Sequence, residues 1–215
     1  ENIGNFQSNF YQRLAFDEIF STFLVNSEIR KKIRKIKKKN KIINLNKQKS
    51  IIDKLDFSLT KDQIKSLNEI NKDLSSANKM FRLLQGDVGS GKTIVSLLGA
   101  INTINSGFQV AFMAPTEILA RQHYTLAKKI FPSFINIKLI SGKSEYKEKK
   151  EILKKLENNK IDIIFGTHAI FQKKVIFNKL GLIIIDEQHK FGVNQRKKLS
   201  DKGGVDCDVL LMTAT

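Results

Sequence analysis

The sequence contains one cysteine, no tryptophan and no long uninterrupted apolar run. The single cysteine, Cys207, excludes a disulfide framework and a zinc site built from cysteines, which predicts a cytoplasmic protein. The apolar runs are shorter than the roughly 18–20 residues of a membrane-spanning helix, so we expect no membrane partner. The chain also lacks an initiator methionine and a signal pattern, and it ends within a strand-like run. These features predict a fragment of a longer protein.

Acidic residues are scarce, since 21 Asp and Glu accompany 38 Lys and Arg and the net charge is +17. A surplus of this size is typical of a surface that contacts nucleic-acid phosphates. The alternative is compositional, because lysine, asparagine and isoleucine are all abundant, as an AT-rich genome would produce. The charge is therefore compatible with a nucleic-acid partner but does not establish one.

The chain divides into two regions by pattern. Residues 1–57 read as a helical linker, with apolar residues at helical spacing from Phe6 to Leu24, a basic run at 30–39 and a polar connector at 41–57. The basic run either contacts nucleic acid or is a solvated helix end. Residues 58–215 alternate apolar runs with amphipathic stretches, which predicts an α/β fold with a parallel sheet between helices. The predicted strands are 82–85, 109–115, 137–140, 161–165, 182–185 and 209–212, and the predicted helices are 61–74, 92–105, 117–130, 145–158 and 190–200.

The most specific motif follows the first predicted strand and matches the phosphate-binding pattern G-x-x-x-x-G-K-[ST] at every position. Its glycines permit a tight turn whose N–H groups point at phosphate oxygens, and a helix N-terminus follows. Lys92 can reach the β- and γ-phosphates, and the Thr93 hydroxyl can ligate Mg²⁺. The sequence thus predicts a nucleoside triphosphate site at Gly86, Asp87, Val88, Gly89, Ser90, Gly91, Lys92 and Thr93.

A second motif, Asp186-Glu187-Gln188-His189, ends the predicted strand 182–185. Asp186 is suited to hold Mg²⁺, and Glu187 to orient and deprotonate the attacking water. The alternative, two carboxylates that cap the next helix, is the weaker interpretation downstream of an intact phosphate loop. His189 is either a structural histidine or a catalytic bridge between the nucleotide site and neighbouring loops.

A third motif, Thr213-Ala214-Thr215, ends the last predicted strand at the same edge of the sheet. Its hydroxyl groups can hydrogen-bond the acidic motif and relay the state of the γ-phosphate. The alternative is an ordinary threonine-rich strand end.

The three motifs together resemble the first RecA-like domain of superfamily 2 helicases, a P-loop NTPase fold. Four longer segments, and Arg13–Glu18 in the linker, are similar to the RecG family. The related transcription-repair coupling factor family shares the Gly86–Gly89 start but usually differs at Ser90, Glu117 and Gln188. The four segments are Arg82–Thr93, Met113–Ala120, Gly166–Ala169 and Asp186–Val193.

The resemblance implies roles for residues outside these motifs. Gln63 would pair with the edge of the adenine, or it is simply part of a helix start capped by Thr60. Two loops would hold one nucleic-acid strand by its phosphates, with Gln122 and His123 either assisting or lying on a surface turn. The loop residues are Pro115, Thr116, Glu117, Gly166, Thr167 and His168.

The resemblance implies an ATP-dependent DNA helicase motor domain that uses ATP and Mg²⁺ and remodels branched DNA such as stalled forks and Holliday junctions. The expected partners are branched or duplex DNA and, within one monomeric full-length protein, a second RecA-like domain and a wedge domain. The alternative is an ATP- and DNA-binding module of a transcription-repair coupling factor-like translocase. In either case the fragment is expected to be catalytically incomplete, because the second RecA-like domain supplies the rest of the nucleotide site. A small-molecule kinase would share the phosphate loop but not the acidic motif.

Overall fold

The computed structural model describes residues 35–142, 146–172, 174–186 and 203–214, together with scattered positions between 12 and 28. The predicted helix at 190–200 lies outside the described residues, as do Glu187, His189 and Thr215. Of the described helices, none combines the length and the apolar composition that crossing a lipid bilayer requires.

Six parallel strands form one sheet in the order β1-β6-β5-β2-β4-β3. Every residue of β2 and β5 is buried, which agrees with strands that are apolar on both faces. Each strand lies within two residues of a predicted one, so the predicted α/β fold is confirmed. The strands are β1 Phe81–Gln85, β2 Gln109–Met113, β3 Ile137–Ile140, β4 Ile163–Gly166, β5 Leu180–Ile185 and β6 Asp208–Thr213.

Helices cover both faces of the sheet. Two begin at threonine N-caps: Thr60 accepts the Gln63 N–H in a capping box, and Thr116 accepts the Leu119 N–H. The four predicted helices that fall on described residues are confirmed. The helices are α1 Leu45–Ile52, α2 Lys61–Ser75, α3 Lys92–Asn105, α4 Glu117–Ile130 and α5 Tyr146–Glu157, with a short 3₁₀ helix at His168–Phe171.

The core consists of two layers, one on each side of the sheet. The larger layer packs α1, α2, α3 and α4 against alternate strand residues such as Phe112 and Ile184. The smaller layer packs α5 and the 3₁₀ helix against the opposite residues, such as Met113 and Ile185. The middle of α3 is buried on all sides, since it lies between the sheet and α2. These layers fix the strand ends, where the sequence motifs lie.

The segment before α2 packs more closely than the polar connector predicted at 41–57. It contains α1, whose Ile51 is buried in the larger core layer. Gln48 on the same helix is also buried, and its amide donates to the Leu98 carbonyl oxygen at 2.9 Å. One side of α1 is therefore part of the domain core, whereas most other residues of the connector are exposed or half-buried.

One residue of the basic run at 30–39, Lys38, is buried, contrary to both predictions, whereas the other described residues of the run are exposed. Lys38 Nζ lies 2.7 Å and Lys41 Nζ 2.8 Å from Asp208 Oδ2, and the three side chains have no exposed surface. Burial lowers the pKa of Lys38, against the opposing effect of Asp208. Lys38 is thus neither a solvated surface residue nor available to nucleic acid, because it holds the linker against the start of β6.

The described positions between 12 and 28 are helical, as the apolar spacing there predicts. The apolar side chains described there are exposed, since Phe16, Phe20 and Leu24 lie at the surface. The Phe16 and Phe20 rings stack at 5.7 Å on one side of the helix.

Candidate functional site

The predicted site residues lie where the parallel strands end, along one edge of the sheet. In the order of the strands, this edge carries the loop after β1, Thr213 of β6, Asp186 after β5, and the loops after β2, β4 and β3. Ligands of open parallel sheets bind at this edge, beyond the carboxyl ends of the strands. The strand order therefore puts the phosphate loop and the acidic motif on one half and the loops after β2, β4 and β3 on the adjacent half.

The loop between β1 and α3 curves tightly because two of its glycines adopt left-handed backbone conformations. Gly89 has φ 82° and Gly91 has φ 80°, values that residues with a Cβ rarely adopt. Gly91 is also the N-cap of α3, so the unpaired N–H groups of the first helical turn face the same space as the loop. Val88, at the tip, is 87% exposed. The loop and the helix start form an open cradle of N–H donors, which suits an anion.

Lys92 points into this curve. Its Nζ donates to the carbonyl oxygens of Gly86 and Asp87, each at 2.7 Å. Thr93 follows in the first turn of α3 and is half-buried. The ammonium group therefore lies within the cradle that the motif predicts, and Thr93 follows Lys92 at the start of the same helix.

Gln63 contacts the phosphate loop from α2. Its side-chain oxygen accepts the Thr60 N–H at 2.9 Å, and its Nε2 donates to the Ser90 carbonyl oxygen at 2.9 Å. A Cβ at Gly91 would meet the end of the Gln63 side chain, which would then have to shift, and the left-handed backbone angle is what favours glycine at this position. The Gln63 side chain thus completes the capping box of α2 and also hydrogen-bonds the phosphate loop.

Asp186 directly follows β5 and is held at the centre of the edge. Its N–H donates to the Met113 carbonyl oxygen at 2.8 Å, which continues the β2–β5 pairing. Its Oδ2 lies 2.8 Å from Nε2 of His123 on α4. The side chain is 13% exposed. Of the acidic motif, the structure describes Asp186; Glu187 and His189 lie outside the described residues.

His123 is buried, which contradicts the predicted surface turn. Its ring lies on Phe112, with the ring centroids 4.8 Å apart, and Phe112 in turn stacks on Phe165. Sequence reasoning linked His123 to the nucleic-acid loops rather than to the acidic motif. No local pattern could have paired it with Asp186, since the contact depends on β5 being the neighbour of β2.

The loops after β2 and β4 also lie side by side. The Ala114 N–H donates to the Gly166 carbonyl oxygen at 3.0 Å, and a Cβ at Gly166 would collide with the Ile140 backbone. Thr116 and His168 are exposed at this surface, whereas Pro115 and Thr167 are half-buried. The structure therefore brings the predicted nucleic-acid residues together.

Glu117, another of these residues, makes a contact within the domain. Its carboxylate accepts the N–H of Gly142, in the turn after β3. Lys149 on α5 donates to the Gly142 carbonyl oxygen at 3.3 Å. A carboxylate would repel a phosphate, so the observed geometry favours a role for Glu117 in fixing this turn.

The end of β6 lies against the phosphate loop. The Gly86 N–H donates to the Thr213 carbonyl oxygen at 3.4 Å, and the Thr213 hydroxyl donates to the Ala214 carbonyl oxygen at 3.1 Å. The predicted coupling motif is therefore adjacent to the cradle at Thr213 and Ala214, and Thr215 lies outside the described residues.

The geometry is that of a P-loop motor domain, and comparison with known proteins agrees. The DEAD/DEAH box helicase family model matches residues 60–215. The chain therefore belongs to the DEAD/DEAH box helicase family.

Within that family the similarity to RecG is extensive. The chain is 49% identical to the ATP-dependent DNA helicase RecG of Staphylococcus epidermidis over 172 residues, which are 80% of this chain and 25% of that protein. RecG of Staphylococcus aureus matches with the same identity and coverage. The resemblance to RecG predicted from the sequence is thus confirmed, and the chain spans about a quarter of the length of these relatives.

Solved structures give the same result. A structure of RecG bound to a three-way DNA junction has a TM-score of 0.79 and 42% identity, and the match covers 94% of this chain and 27% of that one. The UvsW helicase from bacteriophage T4 has a TM-score of 0.60 at 16% identity, covering 81% of this chain and 61% of that one, and supports the fold alone.

Proposed function

We propose that the chain is the first motor domain of a RecG-type ATP-dependent DNA helicase that remodels stalled forks and Holliday junctions. The proposal rests on the shared sheet edge, where a phosphate cradle and a strand-end carboxylate lie beside the paired loops after β2 and β4. It is supported by the RecG relatives and by the junction-bound RecG neighbour. These relatives do not favour the alternative of a transcription-repair coupling factor-like translocase.

In this proposal ATP places its phosphates in the loop at 86–93. The N–H groups of the loop and of the first turn of α3 donate to phosphate oxygens. Lys92 moves its ammonium group from the loop carbonyls to the β- and γ-phosphates. Gln63, which already contacts Ser90, pairs with the adenine edge. The cradle fits such a ligand because the left-handed Gly89 and Gly91 curve the loop around the start of α3, whose first N–H groups lack helical partners.

We assign Mg²⁺ to the Thr93 hydroxyl and the Asp186 carboxylate, which supply hard oxygen ligands. When bound, Mg²⁺ neutralises charge on the transferring phosphate. Glu187 orients and deprotonates the attacking water, and His189 bridges the site to neighbouring loops. The 213–215 motif, next to Gly86, relays the nucleotide state to the rest of the motor.

The adjacent half of the edge is assigned to DNA. The Thr116 and Thr167 hydroxyls, the exposed His168 and the N–H groups at the start of α4 suit phosphate contacts that carry no sequence information. Pro115 and Gly166 shape the two loops, and Glu117 supports them through Gly142. The net charge of +17 adds attraction to the DNA backbone.

The active enzyme needs more than this chain. Since this chain matches about a quarter of the relatives' length, we propose that a second RecA-like domain and a wedge domain in one monomeric protein complete the site and read the DNA branch. The second domain would supply the remaining cation at the γ-phosphate. The isolated chain should therefore bind ATP weakly and hydrolyse it barely.

The test is DNA-stimulated ATPase of the full-length protein with three-way junctions and with linear duplex of equal length. Wild type should be stimulated more by the junction, Lys92→Ala should lose nucleotide binding, and Glu187→Gln should bind ATP but not turn it over. Absence of stimulation by any DNA would refute the helicase proposal. Near-normal turnover by Glu187→Gln would remove Glu187 from the role of base.

A further inference from the structure

His123 reaches from α4 to the carboxylate at the end of β5. Its Nε2 lies 2.8 Å from Asp186 Oδ2, and the two side chains are 11% and 13% exposed. An ionised carboxylate only accepts hydrogen bonds, so Nε2 is the donor. A hydrogen bond to a charged acceptor is short and directional, and it is strengthened where little water competes. The contact therefore restrains the orientation of the Asp186 carboxylate.

The imidazole ring is itself held in place. It packs on Phe112 with a 4.8 Å distance between the ring centroids, and Phe112 stacks on Phe165 at 5.1 Å. Phe112 and Phe165 belong to β2 and β4, so the ring rests on the rigid centre of the sheet. A donor held by packing is the arrangement that orients metal-binding carboxylates in proteins.

His123 also belongs to the helix that starts in the candidate DNA loops. Thr116 is the N-cap of α4, and His123 follows it by about two turns, roughly 10 Å along the axis. Glu117, in the first turn, holds Gly142 in the neighbouring loop. A displacement of the N-terminus of α4 would therefore move His123 relative to Asp186.

We propose that His123 is a positioning residue that orients Asp186 for Mg²⁺ and transmits the position of α4 to that carboxylate. The inference rests on the proposed function, because it gives Asp186 the role of metal ligand and the loop before α4 the role of DNA contact. It adds a connection between the two halves of the edge that the sequence motifs do not contain.

Three substitutions separate hydrogen bonding from ring packing. His123→Gln keeps a donor, since its amide nitrogen is as many bonds from Cβ as Nε2 is. His123→Asn has the same amide on a shorter arm, which does not reach Asp186. His123→Phe keeps a ring on Phe112 but has no donor. Thermal unfolding of each variant checks that the fold is intact.

The first readout is binding of a fluorescent, non-hydrolysable ATP analogue to the full-length protein, titrated with and without Mg²⁺. Loss of a group that orients a metal ligand typically costs about 10-fold to 100-fold in metal affinity or activity. We expect that loss in the Mg²⁺-dependent part of binding for His123→Asn and His123→Phe. His123→Gln should stay close to wild type, and binding without Mg²⁺ should not change in any variant.

The second readout is the DNA-stimulated ATPase, with kcat and KM measured separately. In His123→Asn and His123→Phe the stimulation by DNA should fall through kcat, with the KM for DNA nearly unchanged. If His123→Phe behaves as wild type, or if His123→Gln fails along with the other two, the hydrogen-bond role is refuted. If the wild type itself shows no Mg²⁺-dependent binding and no stimulation, the proposed function fails instead.

Discussion

Asp208→Asn should destabilise the chain strongly, because Asp208 is the shared partner of two buried lysines. Lys38 Nζ and Lys41 Nζ lie 2.7 Å and 2.8 Å from Oδ2, and Oδ1 accepts the Met80 N–H at 2.6 Å. None of the three charged side chains has exposed surface. The substitution removes the negative charge that the two lysines share and keeps the shape of the side chain.

Removing one partner of a buried ion pair costs about 3–5 kcal/mol, since the remaining charge is left uncompensated. Asparagine can still accept the Met80 N–H, and Lys38 Nζ still donates to the Leu74 carbonyl oxygen at 2.8 Å. We therefore expect the lower end of the range, about 3 kcal/mol. For a domain of this size that corresponds to a fall in Tm of roughly 6–12 °C.

The assay is thermal and urea unfolding followed by circular dichroism. Asp56→Asn is the matched control, because Asp56 pairs with Lys129 at 2.6 Å but both side chains are largely exposed. An exposed pair of this kind contributes little to stability. The triple variant Lys38→Met, Lys41→Met, Asp208→Asn should recover most of the loss, since it removes the uncompensated lysine charges and keeps an acceptor for the Met80 N–H.

Equally small losses of stability in Asp208→Asn and Asp56→Asn would refute this prediction. They would mean that water or another group compensates the charges of Lys38 and Lys41. A triple variant no better than Asp208→Asn would show that the loss comes from packing rather than from uncompensated charge.

Three further predictions concern the nucleotide loop and the thiol. Gly91→Ala and Gly107→Ala both force a Cβ into a left-handed conformation, at about 1–2 kcal/mol each. Only Gly91→Ala should also abolish nucleotide binding in a fluorescence titration, because Gly91 lies in the phosphate-binding loop. Gly107 is the control, since open space surrounds it. Gln63→Ala should reduce the preference for ATP over GTP in competition binding, whereas unchanged selectivity would leave Gln63 as a helix cap. Burial raises the pKa of Cys207 to about 12, so its reaction with a thiol reagent at pH 8 should await unfolding; rapid labelling of folded protein would contradict its burial.

The parts of the structure that the sequence predicts well are those encoded locally. Apolar runs and helical spacing locate each described strand to within two residues, because both patterns lie within a few consecutive positions. The loop at 86–93 is likewise one contiguous motif, whose strand and helix are its immediate neighbours. Parallel pairing then aligns the strand ends, so the common edge follows without knowledge of side-chain contacts.

The contacts that could not be predicted from the sequence join residues that are far apart in the chain. Lys38 and Asp208 are 170 positions apart, and a lysine within a basic run carries no pattern that distinguishes a buried ion pair from a solvated one. The burial of Lys41 and of one face of α1 was not predicted for the same reason. The few apolar residues that pack there are separated by polar ones, so they form no recognisable helical pattern. Such pairs depend on where the linker crosses the sheet, which no local pattern specifies.

The pairing of His123 with Asp186 depends on the order of the strands. The nucleotide motifs lie at the ends of β1, β6 and β5, and the candidate DNA loops lie at the ends of β2 and β4. The two halves meet only where β5 pairs with β2, and at the end of that pair the Asp186 N–H donates to the Met113 carbonyl oxygen. His123 makes a second link at the same place, from a helix whose N-terminus belongs to the DNA half. In the function that we propose, a signal carried through the sheet from DNA to nucleotide crosses this boundary, and the carboxylate after β5 is the first nucleotide-site group that it reaches.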